Sequence, residues 1–70
     1  MTKDELDKVI KLLNLKASTI KNAINQGWSD QFLQVHKNEL FAQLYFAEQL
    51  TGKVISLNET TWRAEYDGKE

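Results

Sequence analysis

Few side chains in this 70-residue chain could do acid–base or metal chemistry. His36 is the single histidine and stands beside Lys37, and there is no cysteine to join it in a ligand set. A zinc site needs three or four ligands, and a catalytic imidazole needs a nucleophile or acid held beside it. His36 therefore reads as an ordinary surface or boundary residue. Asp4, Glu5 and Asp7 crowd a helix start, where they serve the helix dipole better than they would serve proton transfer. The three glycines are scattered and form no phosphate-cradling loop. Asn58-Glu59-Thr60 matches a glycosylation sequon, a short pattern with a high rate of chance matches. This inventory points to a protein that binds and does no catalysis, with no cofactor, no metal and no small-molecule substrate.

Binding chemistry is better represented. Four lysines (Lys8, Lys11, Lys16, Lys21) and no acid lie between Lys8 and Trp28, whereas seven acids against four bases follow from Ser29 onward. A net charge of −1 thus conceals a basic segment followed by an acidic one. The length allows one domain, close to the limit at which a chain buries enough surface to fold alone. Disulfide and metal staples are not available, which leaves a well-filled core or oligomerisation as the source of stability. No apolar run reaches the length of a membrane span, and the charged start MTKDELDK is unlike a signal peptide; the expectation is a cytoplasmic protein.

The spacing predicts an α+β domain of three helices, at about 3–14, 17–26 and 29–50, followed by a β-hairpin with strands at about 53–57 and 61–66. Thr2 and Glu5 form a capping box for the first helix. Leu6, Val9, Ile10 and Leu13 supply its buried face, and Asn14 is a suitable stop. Ile20, Ala23 and Ile24 are the expected buried face of the second helix, which ends at Gly27. Ser29 is the expected cap of the third, with Trp28 stapling onto Leu33. Its core stripe is Leu33, Leu40, Phe41, Leu44 and Ala47, and Gly52 ends it. Beyond Gly52 the period changes to two: KVISL is rich in β-branched residues, and Trp62, Ala64 and Tyr66 alternate with Thr61, Arg63 and Glu65. Asn58-Glu59-Thr60 is the expected loop, and Asp67–Glu70 a frayed tail.

Residues 6–25, LDKVIKLLNLKASTIKNAIN, resemble a helix-turn-helix, with Val9, Leu13, Leu15, Ile20 and Ala23 at the apolar positions that hold two short helices across each other. The run Ala17-Ser18-Thr19-Ile20 and the ending Ile24-Asn25-Gln26 are similar to the headpieces of LacI-type repressors. Ile10 stands where that motif has a small residue, and Lys16 where it has a capping Ser or Thr. The resemblance implies a small regulator of the kind phages and mobile elements encode, binding duplex DNA through residues 17–26. Lys16 would lie at the start of that helix. Ala17, Ser18 and Asn22 would meet base edges, and Thr19, Lys21 and Asn25 would meet phosphates.

A second reading starts from the third helix, which has more apolar surface than two short helices can cover. Phe32, Val35, Tyr45 and Phe46, together with Trp62 of the hairpin, would then form an interface with a second copy or with a protein partner, as in a small inhibitor or adaptor.

Overall fold

The first helix begins where the capping box places it. In the computed structural model, which describes residues 2–66, the Glu5 backbone N–H donates to Thr2 Oγ1 at 3.2 Å, and the Thr2 N–H donates to Glu5 Oε1 at 3.2 Å. From there α1 runs without interruption over Lys3–Asn25, 23 residues. The three-helix expectation is therefore incorrect: its first two helices are one, and no turn separates Asn14 from Ala17. The reason lies in the apolar spacing. Leu6, Ile10, Leu13, Ala17, Ile20 and Ala23 follow one another at steps of three or four, which is one continuous helical stripe. No glycine or proline interrupts it, and an asparagine inside a helix costs only about 0.7 kcal/mol relative to alanine.

Gly27 ends α1 with a left-handed backbone (φ 79°). Its N–H donates to the Ile24 carbonyl, and the Trp28 N–H reaches back to the Ala23 carbonyl, so two carbonyls at the helix end are satisfied. The second helix, α2, spans Asp30–Thr51 and stops at Gly52, which is also left-handed (φ 68°). Ser29 is its N-cap residue, but its hydroxyl makes no capping bond. The two helices are of nearly equal length and joined by a short connection, so they lie antiparallel as a helical hairpin.

The C-terminal hairpin is present, with shorter strands than the sequence suggests: β1 covers Ile55–Asn58 and β2 covers Arg63–Tyr66, paired antiparallel with Leu57 opposite Ala64. The loop is Glu59–Trp62 in place of 58–60. Asn58 builds it by accepting from the Thr60 and Thr61 N–H groups through Oδ1 and from the Trp62 N–H through its carbonyl. The expected tail, Asp67–Glu70, lies outside the described residues.

The hairpin covers one face of the helical pair. Leu13, Ala17 and Ile20 of α1 and Leu40, Leu44 and Ala47 of α2 meet Ile55, Trp62 and Ala64 in a single core, with Val9, Ile10, Leu57 and Tyr66 at its margin. Ala23 and Leu33 are buried outside this cluster, whereas Ile24 and Phe41, expected on buried faces, are exposed. Each outer edge of the hairpin is tied to a helix. Asn14 of α1 donates through Nδ2 to the Ala64 carbonyl (3.1 Å) and accepts the Ala64 N–H at Oδ1 (2.7 Å). Glu48 of α2 accepts the Ile55 N–H at 3.0 Å. Side chains thus satisfy edge groups that a two-stranded ribbon would leave open.

Candidate functional site

Because the hairpin occupies one side of the helical pair, the opposite side is left uncovered. There α1 presents Leu12 and Leu15, and α2 presents Phe32, Val35, Phe46 and Leu50. Each of these six side chains is between 53% and 69% exposed. Helical geometry accounts for the set. Leu12, Leu15 and Thr19 recur at i, i+3 and i+7 on α1, and Phe32, Val35, Phe46 and Leu50 fall within one side of α2. Towards the N-terminal end of α1 and the C-terminal end of α2, the two rows flank an open groove of about 680 Å³. Leu12, Leu15, Phe46 and Leu50 line it, with Leu13 and Ala47 among its inner residues.

Lys16 and Glu39 place one polar pair on this apolar side. The Lys16 Nζ lies 2.7 Å from Glu39 Oε2 and 3.1 Å from His36 Nδ1, with Lys16 itself half-buried. The hydrogen bond from Lys16, followed by its charge, holds the Glu39 carboxyl below the usual glutamate range. His36 also meets the edge of the Trp28 ring, with centroids 5.8 Å apart. His36 is thus a boundary residue tied to the bridge between the helices.

The sequence-derived DNA contacts do not share one surface. Ala17 is fully buried in the core, so it has no side chain to offer a base. Lys16 is engaged by Glu39, and Thr19 lies beside the apolar groove with its hydroxyl bonded to the Leu15 carbonyl. Ser18, Lys21, Asn22 and Asn25 are exposed, and Ser18 and Lys21 lie on the hairpin side of α1, away from Thr19. These residues sit along the middle and end of one long helix, not at the start of a recognition helix.

The expected interface residues also separate. Phe32, Val35 and Phe46 share the uncovered side. Tyr45 is 65% exposed but stands about 100° around the helix from Phe46. Trp62 belongs to the core, at 8% exposure, with the Lys37 ammonium 5.5 Å from its ring centroid. It is not available to a partner. Sequence reasoning identifies Leu50 with Phe32, Val35 and Phe46 as apolar surplus on α2, but misses Leu12 and Leu15 of α1 as parts of the same surface. Leu15, expected at an interhelical contact within the helix-turn-helix, is instead exposed on the continuous α1.

Among the described residues, no group of three His, Asp or Glu side chains could hold a metal ion, and no helix is long and apolar enough to cross a membrane. Comparison with protein-family models, with curated proteins and with solved structures gives no match to this chain. Geometry alone therefore carries the functional reading.

Proposed function

We propose that this chain is a non-enzymatic interaction module, and that a second copy of the chain covers its apolar α1/α2 side. The observation that carries the reading is the set of six large apolar side chains on one side of two paired helices. Large apolar side chains gathered on one exposed side mark an interaction site in small proteins. The side is about 35 Å long and about 20 Å wide, from the helix rise and the usual spacing of packed helices. That footprint matches the roughly 800 Å² per partner of a standard interface.

Charge and polarity favour a second copy as the occupant. With a two-fold axis parallel to the helices, α1 of one protomer lies over α2 of its partner, and every neighbouring pair of helices in the resulting four-helix bundle is antiparallel. Lys16 and Glu39, the charged pair on this side, then meet their own copies with opposite charges at the same height along the bundle. The Lys16–Glu39 pair lies on the contact surface, where a polar pair can fix register. The hairpins stay on the outside of the bundle. A chain without disulfides gains the core it lacks by this pairing, in the reducing cytoplasm where we place it.

Light scattering during size exclusion tests the assignment of the surface. Phe46→Asp should convert a dimer to a monomer while far-UV circular dichroism keeps its helical signal. Tyr45→Asp, which alters a side chain of similar exposure on another part of α2, should leave the dimer intact. Equal behaviour of the two variants would remove the groove from the interface.

A further inference from the structure

A second groove lies on the other side of α1, between that helix and the start of β2, and its chemistry is opposite to that of the apolar side. It encloses about 580 Å³ and is lined by Lys11, Ser18 and Lys21 of α1 and by Thr61 and Arg63 of the hairpin, with Asp7 at one end. Three cations thus converge on a space with one carboxylate. Neither Lys11 nor Lys21 has an ion-pair partner among the described residues. Arg63 is only loosely engaged, with Nε 3.5 Å from the exposed Glu65 carboxylate.

The wall formed by the hairpin is held in a costly conformation. Trp62 is the one non-glycine residue with positive φ (55°) among the described residues, and it stands between Thr61 and Arg63. A bulky side chain seldom adopts that backbone, and such residues persist where the surroundings over-determine them. Here the buried ring and the 2.7 Å hydrogen bond from the Trp62 N–H to the Asn58 carbonyl fix it. The result is that Thr61 and Arg63 both border the groove opposite Lys11 and Lys21.

We infer that this groove binds the phosphodiester backbone of a nucleic-acid strand. Lysine and arginine supply the charge that phosphates require, and the Ser18 and Thr61 hydroxyls are the neutral donors that such backbones accept. Lys11 and Lys21 are about 15 Å apart along the helix, a span that covers several nucleotides of one strand. Asn22 and Asn25 continue along α1 beyond the groove, and no acid lies between Lys8 and Trp28 to repel a strand there. This mode does not use a recognition helix in the major groove, and with Trp62 buried it has no stacking platform. It recognises charge and shape with little regard to base sequence. The inference stands independently of the dimer, since none of the groove residues belongs to the apolar side.

Fluorescence anisotropy with labelled oligonucleotides, duplex and single-stranded, tests it at about 20 mM salt with protein up to about 300 µM, where weak electrostatic binding is visible. Three phosphate contacts predict an affinity that falls about 40-fold for duplex, or about 20-fold for single strand, between 50 and 200 mM salt. The larger response identifies the duplex as the form bound. Lys11→Glu/Lys21→Glu should weaken binding at least about tenfold with its circular dichroism unchanged, whereas Lys8→Glu, outside the groove, should change it less than about twofold. Phe46→Asp should still bind, which separates this site from the dimer surface. No binding at low salt, or full binding by the double variant, would overturn the inference. So would polyglutamate competition as effective as that of unlabelled oligonucleotide.

Discussion

Asn14 holds Ala64 by both of its outward backbone groups, accepting the N–H at 2.7 Å and donating to the carbonyl at 3.1 Å. The amide of Asn14 therefore acts as a one-residue strand laid against the edge of β2, and it joins the middle of α1 to the end of the chain, 50 residues away. Asparagine suits the position because it presents one donor and one acceptor in one plane, as a peptide does.

Truncating that side chain leaves two partly buried backbone groups without partners. Asn14→Ala should destabilise the fold by about 2 kcal/mol, from a penalty of about 1–3 kcal/mol for unsatisfied buried groups. Asn14→Asp, which sets a carboxylate oxygen against the Ala64 carbonyl in place of the donor, should cost at least as much at neutral pH. Urea unfolding followed by circular dichroism measures both. An unchanged midpoint for Asn14→Ala would mean that Asn14 does not hold the hairpin edge.

Backbone continuity through the middle of α1 has its own signature. In one helix over Lys3–Asn25, the amides of Lys16, Ala17 and Ser18 donate to carbonyls four residues earlier and lie at the helix centre. They should therefore exchange more slowly than the amides at Gln26 and Gly27. Amide exchange read by NMR separates this from a helix break after Asn14, which would leave those three amides among the fastest in the segment.

Acid should loosen the structure through two glutamates. Glu39 is depressed by its hydrogen bond from Lys16 and by the Lys16 charge, and Glu5 by the hydrogen bond from the Thr2 backbone and then that from its side chain. A carboxyl with a folded-state pKa below its unfolded value contributes stability above the unfolded value, and that contribution disappears as pH falls through the folded one. Melting temperature should thus decline as pH falls below the usual glutamate range. Both groups are exposed, so each effect is small. Glu39→Gln should melt lower than the unaltered protein at pH 6 and show a shallower decline towards pH 3. Parallel curves for the two proteins would exclude the Lys16–Glu39 bridge as a source of the dependence.

The sequence is most legible where a signal is local. Thr2 and Glu5 announce the start of α1, and Gly27 and Gly52 mark the two helix ends, because caps depend on a few adjacent residues. Period-two alternation at Ala64 and Tyr66 gives the inner face of β2, whereas Trp62 is buried from the loop. Asn14 is misread for a physical reason: its amide is equally suited to ending a helix and to bonding a distant backbone, and only the position of Ala64 decides between them. The same uncertainty led to a helix-turn-helix at residues 6–25, since its apolar spacing differs little from that of one long stripe. The apolar side was visible only in part. Phe32, Val35 and Phe46 could be recognised as surplus on α2, but Leu12 and Leu15 join them only once α1 is continuous and Trp62 has drawn the hairpin to the other face.

Sedimentation velocity of the unaltered chain over a range of concentrations reads its self-association. The chain should sediment as a species of twice its 8.1 kDa mass that gives way to monomer on dilution. A single species of 8.1 kDa that persists into the hundreds of micromolar would contradict the dimer, because an apolar surface of this size would then remain exposed with no second copy to cover it.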